Sequence, residues 1–140
     1  IFDASVFQQA IEDMQPGVNL VVEVHRTPEP DDMRVQARGG RIVAVSKQLP
    51  LAETTHRSLG LVMSPDARPH GIYRTALQAV IEAEGGHDAF HHAVIDRLAR
   101  SSVVHAIENH SGLWREVDRP EDIERWTRDH RERPWPRALP

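Results

Sequence analysis

A chain of 140 residues with net charge −4, 39% hydrophobic and 27% charged residues has the size and composition of one folded domain, not of a disordered segment. The acidic balance argues against a general nucleic-acid binder, which needs a basic face. The lack of cysteine excludes disulfides and thiolate metal sites, and no apolar run approaches the roughly 18 residues that cross a bilayer. No basic head with a small-residue cleavage site marks the N-terminus, so a cytoplasmic protein is expected.

In chain order, Ile1-Phe2 has the character of the end of a buried strand, and Asp3 supplies an N-cap. The helix it caps is amphipathic, with Val6, Phe7, Ala10, Ile11 and Met14 on the apolar face. After the Pro16-Gly17 turn, "VNLVVEVHR" (18–26) is a β-branched run suited to a strand covered on both faces. "MRVQA" and "RIVAVSK" flank Arg38-Gly39-Gly40 as a hairpin. "LPLAETTHRS" is irregular and leads into the strand "LGLVMS" (59–64). A helix over 69–84 turns Ile72, Ala76, Leu77, Val80 and Ile81 inward, and a second over 88–100 turns Phe90, Val94, Ile95 and Leu98 inward. "SVVHAI" (102–107) and "LWREV" (113–117) are two more strands, and 120–130 is the last helix. The tail over 131–140 carries three prolines and no apolar face, as a linker, an arm or a disordered segment does. This order predicts an α/β layer with a mixed sheet in one domain over 1–130.

Several side chains are candidates for chemistry. Asp118 stands where a strand gives way to an acidic helix start, so it serves either as a helix cap or as a metal ligand. Glu116, two residues earlier, would share its face if the strand alternates. Lys47 closes "VSK" and is either a solvated lysine or a cation for phosphate. Asp31 and Asp32 belong to a proline-rich loop and favour solvation over metal binding, and Arg34 and Arg41 fit a hairpin surface. His87 and His91, with His92 adjacent, have a spacing used by zinc, but no third ligand is placed nearby. Trp114 alternates with Leu113 and Val117, as a core or cleft-wall residue does, although its ring is also suited to stacking on a base or a cation.

Three pieces come in order: "DDMRV…GGRIVAVSKQLP" (31–50), "SLGLVMS" (58–64) and "GLWREVDRPEDIERW" (112–126). Together they resemble the C-terminal half of the sugar-phosphate and alcohol-phosphate nucleotidyltransferases, most of all the cytidylyltransferases acting on phosphocholine or aminoalkylphosphonates. The resemblance spans nearly all of 1–130 and implies the C-terminal part of a Rossmann-like mixed sheet flanked by helices. It implies transfer of a nucleotide from CTP or another nucleoside triphosphate to a small phosphorylated or phosphonylated acceptor, with Mg2+. Asp118 would then hold the metal, Lys47 would neutralise phosphate, and Trp114, Glu116, Arg57 and Ser58 would line the substrate site. Where the family often has Glu-Ser before the apolar strand, this chain has Arg57-Ser58, and Arg119 replaces a small residue after the aspartate. Ile1-Phe2-Asp3 would be the tail of a "G-D-x-x-F-D" segment, so a partial chain, inactive alone, is expected. The rival expectations are a non-catalytic α/β binding or regulatory module and a zinc-dependent hydrolase. A truncated sheet would leave an apolar edge and favour self-association.

Overall fold

The computed structural model describes residues 1–24, 29, 31–65, 71–83, 85, 88–89, 91–101, 104–111 and 114–132, the last three without their side chains. The elements run α1 (Ala4–Glu12), β1 (Val18–Val24), β2 (Arg34–Arg38), β3 (Arg41–Val45), a 3-10 turn (Leu51–Glu53), β4 (His56–Met63), α2 (Ile72–Ile81), α3 (His92–Ser101), β5 (Val104–Glu108) and α4 (Pro120–Glu132). They form two compact units, residues 13–108 and residues 1–12 with 109–140. Among the described residues no helix is long and apolar enough to cross a membrane.

The larger unit contains all five strands. β1 runs antiparallel to β4 and parallel to β5, β2 pairs with both β3 and β4, and β3 meets β5. The order β1-β4-β2-β3-β5 therefore closes on itself as a barrel. The sheet is mixed and helix-flanked as expected, but it is not the open Rossmann-like layer. Closure comes from the hairpin bending back: Arg41 registers with His105, and the Ala106 N–H donates to the Gly40 carbonyl at 2.9 Å.

Local chemistry explains most of the pieces. Gly39 and Gly40 have φ of +56° and +73°, the left-handed pair that a two-residue hairpin turn demands. In β1, Val18, Leu20 and Val22 enter the core with Val35, Ile42, Val45 and Val104, while the alternate residues Asn19 and Val21 are buried as well. Buried Asn19 is satisfied by Gln15, donating to its carbonyl at 2.8 Å and accepting its N–H at 3.0 Å. Between the pairs Leu20–Val62 and Val22–Ser58, β1 advances two residues while β4 advances four. That bulge is turned by Gly60 at φ +74°.

α3 packs on β3 and β5 with Val94, Ile95 and Leu98, and α2 packs on α3. α2 turns Tyr73, Ala76 and Val80 inward. Ile72, Leu77 and Ile81, expected inside, are 48%, 37% and 46% exposed, because the helix is rotated about its axis from the expected stripe.

In the smaller unit, Asp3 caps α1 as expected: its Oδ1 accepts the Ser5 N–H at 2.9 Å and the Ser5 hydroxyl, bonds that lower its pKa. α1 buries Val6 and Ala10 but leaves Phe7 and Ile11 exposed. Of the strand expected over 113–117, the described residues 114–117 keep one antiparallel bridge, Phe2–Trp114, since its partner is the three-residue segment ahead of α1. Ile1 is accordingly exposed and not the end of a buried strand. Phe90, Leu113, His87 and residues 133–140 lie outside the described residues.

Candidate functional site

Lys47, Arg57 and Ser58 belong to the larger unit, and Trp114, Glu116 and Asp118 to the smaller. In the larger unit, β3 ends at Val45, so Lys47 stands two residues past the strand, not at its end. The lysine ammonium pairs with Asp31, and both side chains are well exposed. Arg57 lies opposite Glu23 in the β1–β4 register. Its Nη2 and Nε donate to Glu23 Oε2 at 2.7 and 3.1 Å, and its Nη1 lies 3.4 Å from Asp32 Oδ1. Burial works against the Arg57 cation, but the Glu23 and Asp32 carboxylates outweigh it and raise its pKa. Asp32 is buried, contrary to the solvated loop expected, because it accepts from Arg57 and from the Glu29 N–H at 2.8 Å.

Ser58 is buried on β4 and sits at a junction. Its Oγ accepts the Gly60 N–H at 3.0 Å, inside the bulge, and lies 2.9 Å from His92 Nε2 at the start of α3. Burial, the neighbouring His91 and the Lys47 cation push the His92 pKa down to about 4. Burial also lowers the His91 pKa. The His91 and His92 rings face each other at 3.9 Å between centroids. The sequence marked these histidines only by a zinc-like spacing; among the described residues no group of three metal-capable side chains exists.

In the smaller unit, Trp114 is buried and stacked on Phe2, with centroids 6.4 Å apart and planes 19° apart. Glu116 and Asp118 are exposed, and residues 115–118 form no strand, so alternation no longer puts them on one face. The start of α4 is capped from within: Asp122 Oδ2 accepts the backbone N–H of Arg119 at 3.0 Å and of Asp118 at 3.3 Å. The Asp118 carboxylate takes no part in that cap, which leaves the local explanation for its presence without support. A magnesium ion takes oxygen donors, commonly one or two carboxylates with phosphate oxygens and water, and Asp118 offers one exposed carboxylate.

No protein-family model matches this chain, and no curated protein matches it in sequence. Among solved structures it is similar to the inositol-1-phosphate CTP transferase from T. maritima, with TM-score 0.63 and 18% identity. The likeness covers 87% of this chain and 47% of that one, so the chain spans about half the length of that enzyme. The fold is thus nucleotidyltransferase-like.

Proposed function

We propose that this chain is part of a nucleotidyltransferase, cytidylyl transfer being the favoured reaction, and that it contributes acceptor-binding and metal-binding residues. The observation that carries the reading is the fold shared with a CTP transferase over 87% of the chain. Fold alone does not fix activity. The ordered motifs ending in Lys47 and Asp118 add to it, as does the Asp118 carboxylate being uninvolved in the helix cap.

In such a reaction an acceptor phosphate or phosphonate oxygen attacks the α-phosphorus of the nucleoside triphosphate, and the bond to pyrophosphate breaks. Anion approaches anion, so positive charge and in-line positioning supply most of the rate. Magnesium, when bound, neutralises charge on the phosphates and aligns them. Asp118 would hold it, with exposed Glu116 orienting water or substrate nearby. Lys47 would exchange its exposed Asp31 partner for a phosphate oxygen, a cheap exchange because exposed ion pairs contribute roughly 0–1 kcal/mol. Arg57, clamped by Glu23 and Asp32, would shape the acceptor site while its charge stays committed.

The test follows pyrophosphate release from CTP with magnesium and phosphorylated acceptors, using the protein that carries this chain. Asp118→Asn is expected to lower kcat at least a hundred-fold, the order lost when a group stabilising transition-state charge is removed. Unchanged turnover in that variant would remove Asp118 from the site, and no release with any nucleoside triphosphate would remove the reading.

A further inference from the structure

β3 leaves the barrel alongside α3. The Val45 N–H donates to Asp96 Oδ1 at 3.0 Å, and Asp96 stands one helical turn after His92 on the same face. The chain then reaches Lys47, whose cation disfavours a charge on His92. His92 is held by Ser58 at 2.9 Å, and the His91 ring lies against it at 3.9 Å. α3 begins here, with the His91 carbonyl accepting the Val94 N–H at 3.0 Å, so the positive end of the helix dipole meets the same spot. Two imidazoles therefore crowd the first turn of a ten-residue helix, and the Lys47 cation acts on one of them.

We infer that Lys47, His91 and His92 together receive the phosphoryl or phosphonyl dianion of the acceptor. The acceptor's identity as carrier of that anion rests on the nucleotidyl-transfer reading. Both imidazoles are uncharged at neutral pH, where the lysine is charged. A dianion in contact would offset the lysine's repulsion, so each ring could take up a proton and donate a charge-assisted hydrogen bond. Described charged groups on the neighbouring elements have partners of their own. Asp31 pairs with Lys47 and is exposed, so a dianion can compete with it. Asp96 accepts from Val45 and Arg100, and Arg57 is turned to Glu23 and Asp32. Ser58 sets the ring of His92 through Nε2, leaving its Nδ1 for the ligand.

The test is a titration of the chain with inorganic phosphate against chloride at equal ionic strength, read by imidazole proton resonances assigned through His91→Gln and His92→Gln. Phosphate is expected to raise the pKa of both histidines. Its affinity is expected to fall about ten-fold in Lys47→Met and in His91→Gln, the loss of one hydrogen bond to a charged group. His91 is exposed, so His91→Gln remains informative if His92→Gln fails to fold. Histidine resonances unmoved by phosphate, or equal affinity in Lys47→Met, would overturn the site. Phosphate binding needs no nucleotide: if it persists while pyrophosphate release is absent, the reaction fails and the site stands.

Discussion

The folded chain holds the His92 imidazole at a pKa of about 4, against 6.5 for the free side chain. Between those values the unfolded chain binds the extra proton, so stability rises with pH through that window and is fully present above it. Discounted for partial exposure, the effect is on the order of 1–2 kcal/mol. Denaturant unfolding measured from pH 7 down to pH about 4 should therefore lose stability more steeply in the native chain than in His92→Gln; parallel slopes would mean the ring is solvated. The carboxylates around α4 separate in the same way. Asp122→Ala should cost about 1 kcal/mol by uncapping the helix. Asp118→Asn should change the melting temperature little while removing activity. A stability loss in Asp118→Asn as large as that in Asp122→Ala would make Asp118 structural after all.

Among the elements, the β1–β4 pair is tied by the cross-strand contact of Glu23 with Arg57, reinforced by Asp32 from the preceding loop. Glu23→Ala takes two hydrogen bonds from a partly buried guanidinium and is expected to cost about 2 kcal/mol, partial exposure discounted, by denaturant titration. The hairpin was legible in the sequence because its whole cause, Gly39-Gly40 between alternating runs, is local. The inward stripe of α3 was legible for the same reason: Val94, Ile95 and Leu98 are its strongest apolar face. The stripe of α2 was not, because Ile72, Leu77 and Ile81 flank Tyr73, Ala76 and Val80 so closely that contact with α3 decides between them. Alternation over 113–117 promised a strand, yet a strand needs a partner, and the segment Ile1–Asp3 offers a single bridge. The Ser58–His92 contact joins residues 34 apart and no local pattern announces it. Lys47 and Asp118 are proposed from their place in an order of motifs, and that order says nothing about which side chains come to stand beside them.

At the scale of the whole molecule, barrel closure is the property the sequence hid most completely. Periodicity specifies which residues prefer strands and which faces they bury, but pairing order emerges only when distant segments meet. β2 pairs with the two strands that follow it in sequence, β3 and β4, whereas β1 and β3 must both find β5, with Val18 in register with Val104 and Arg41 with His105. The parallel β1–β5 pair spans 86 positions, from 18 to 104, so during synthesis the most buried strand emerges long before the neighbour that covers one of its edges. At about 5–20 residues per second the interval is roughly 4–17 s, with the open edge of β1 available to other chains throughout. Ribosome-arrested chains ending just short of Val104 should cross-link to chaperones through Val18–Val24, and chains extended beyond Glu108 should lose those cross-links. Equal cross-linking at both lengths would show that β1 is shielded by β4 alone. The closing strand thus sets a clock for the nascent chain, and the hazard it ends belongs to birth, not to the finished fold.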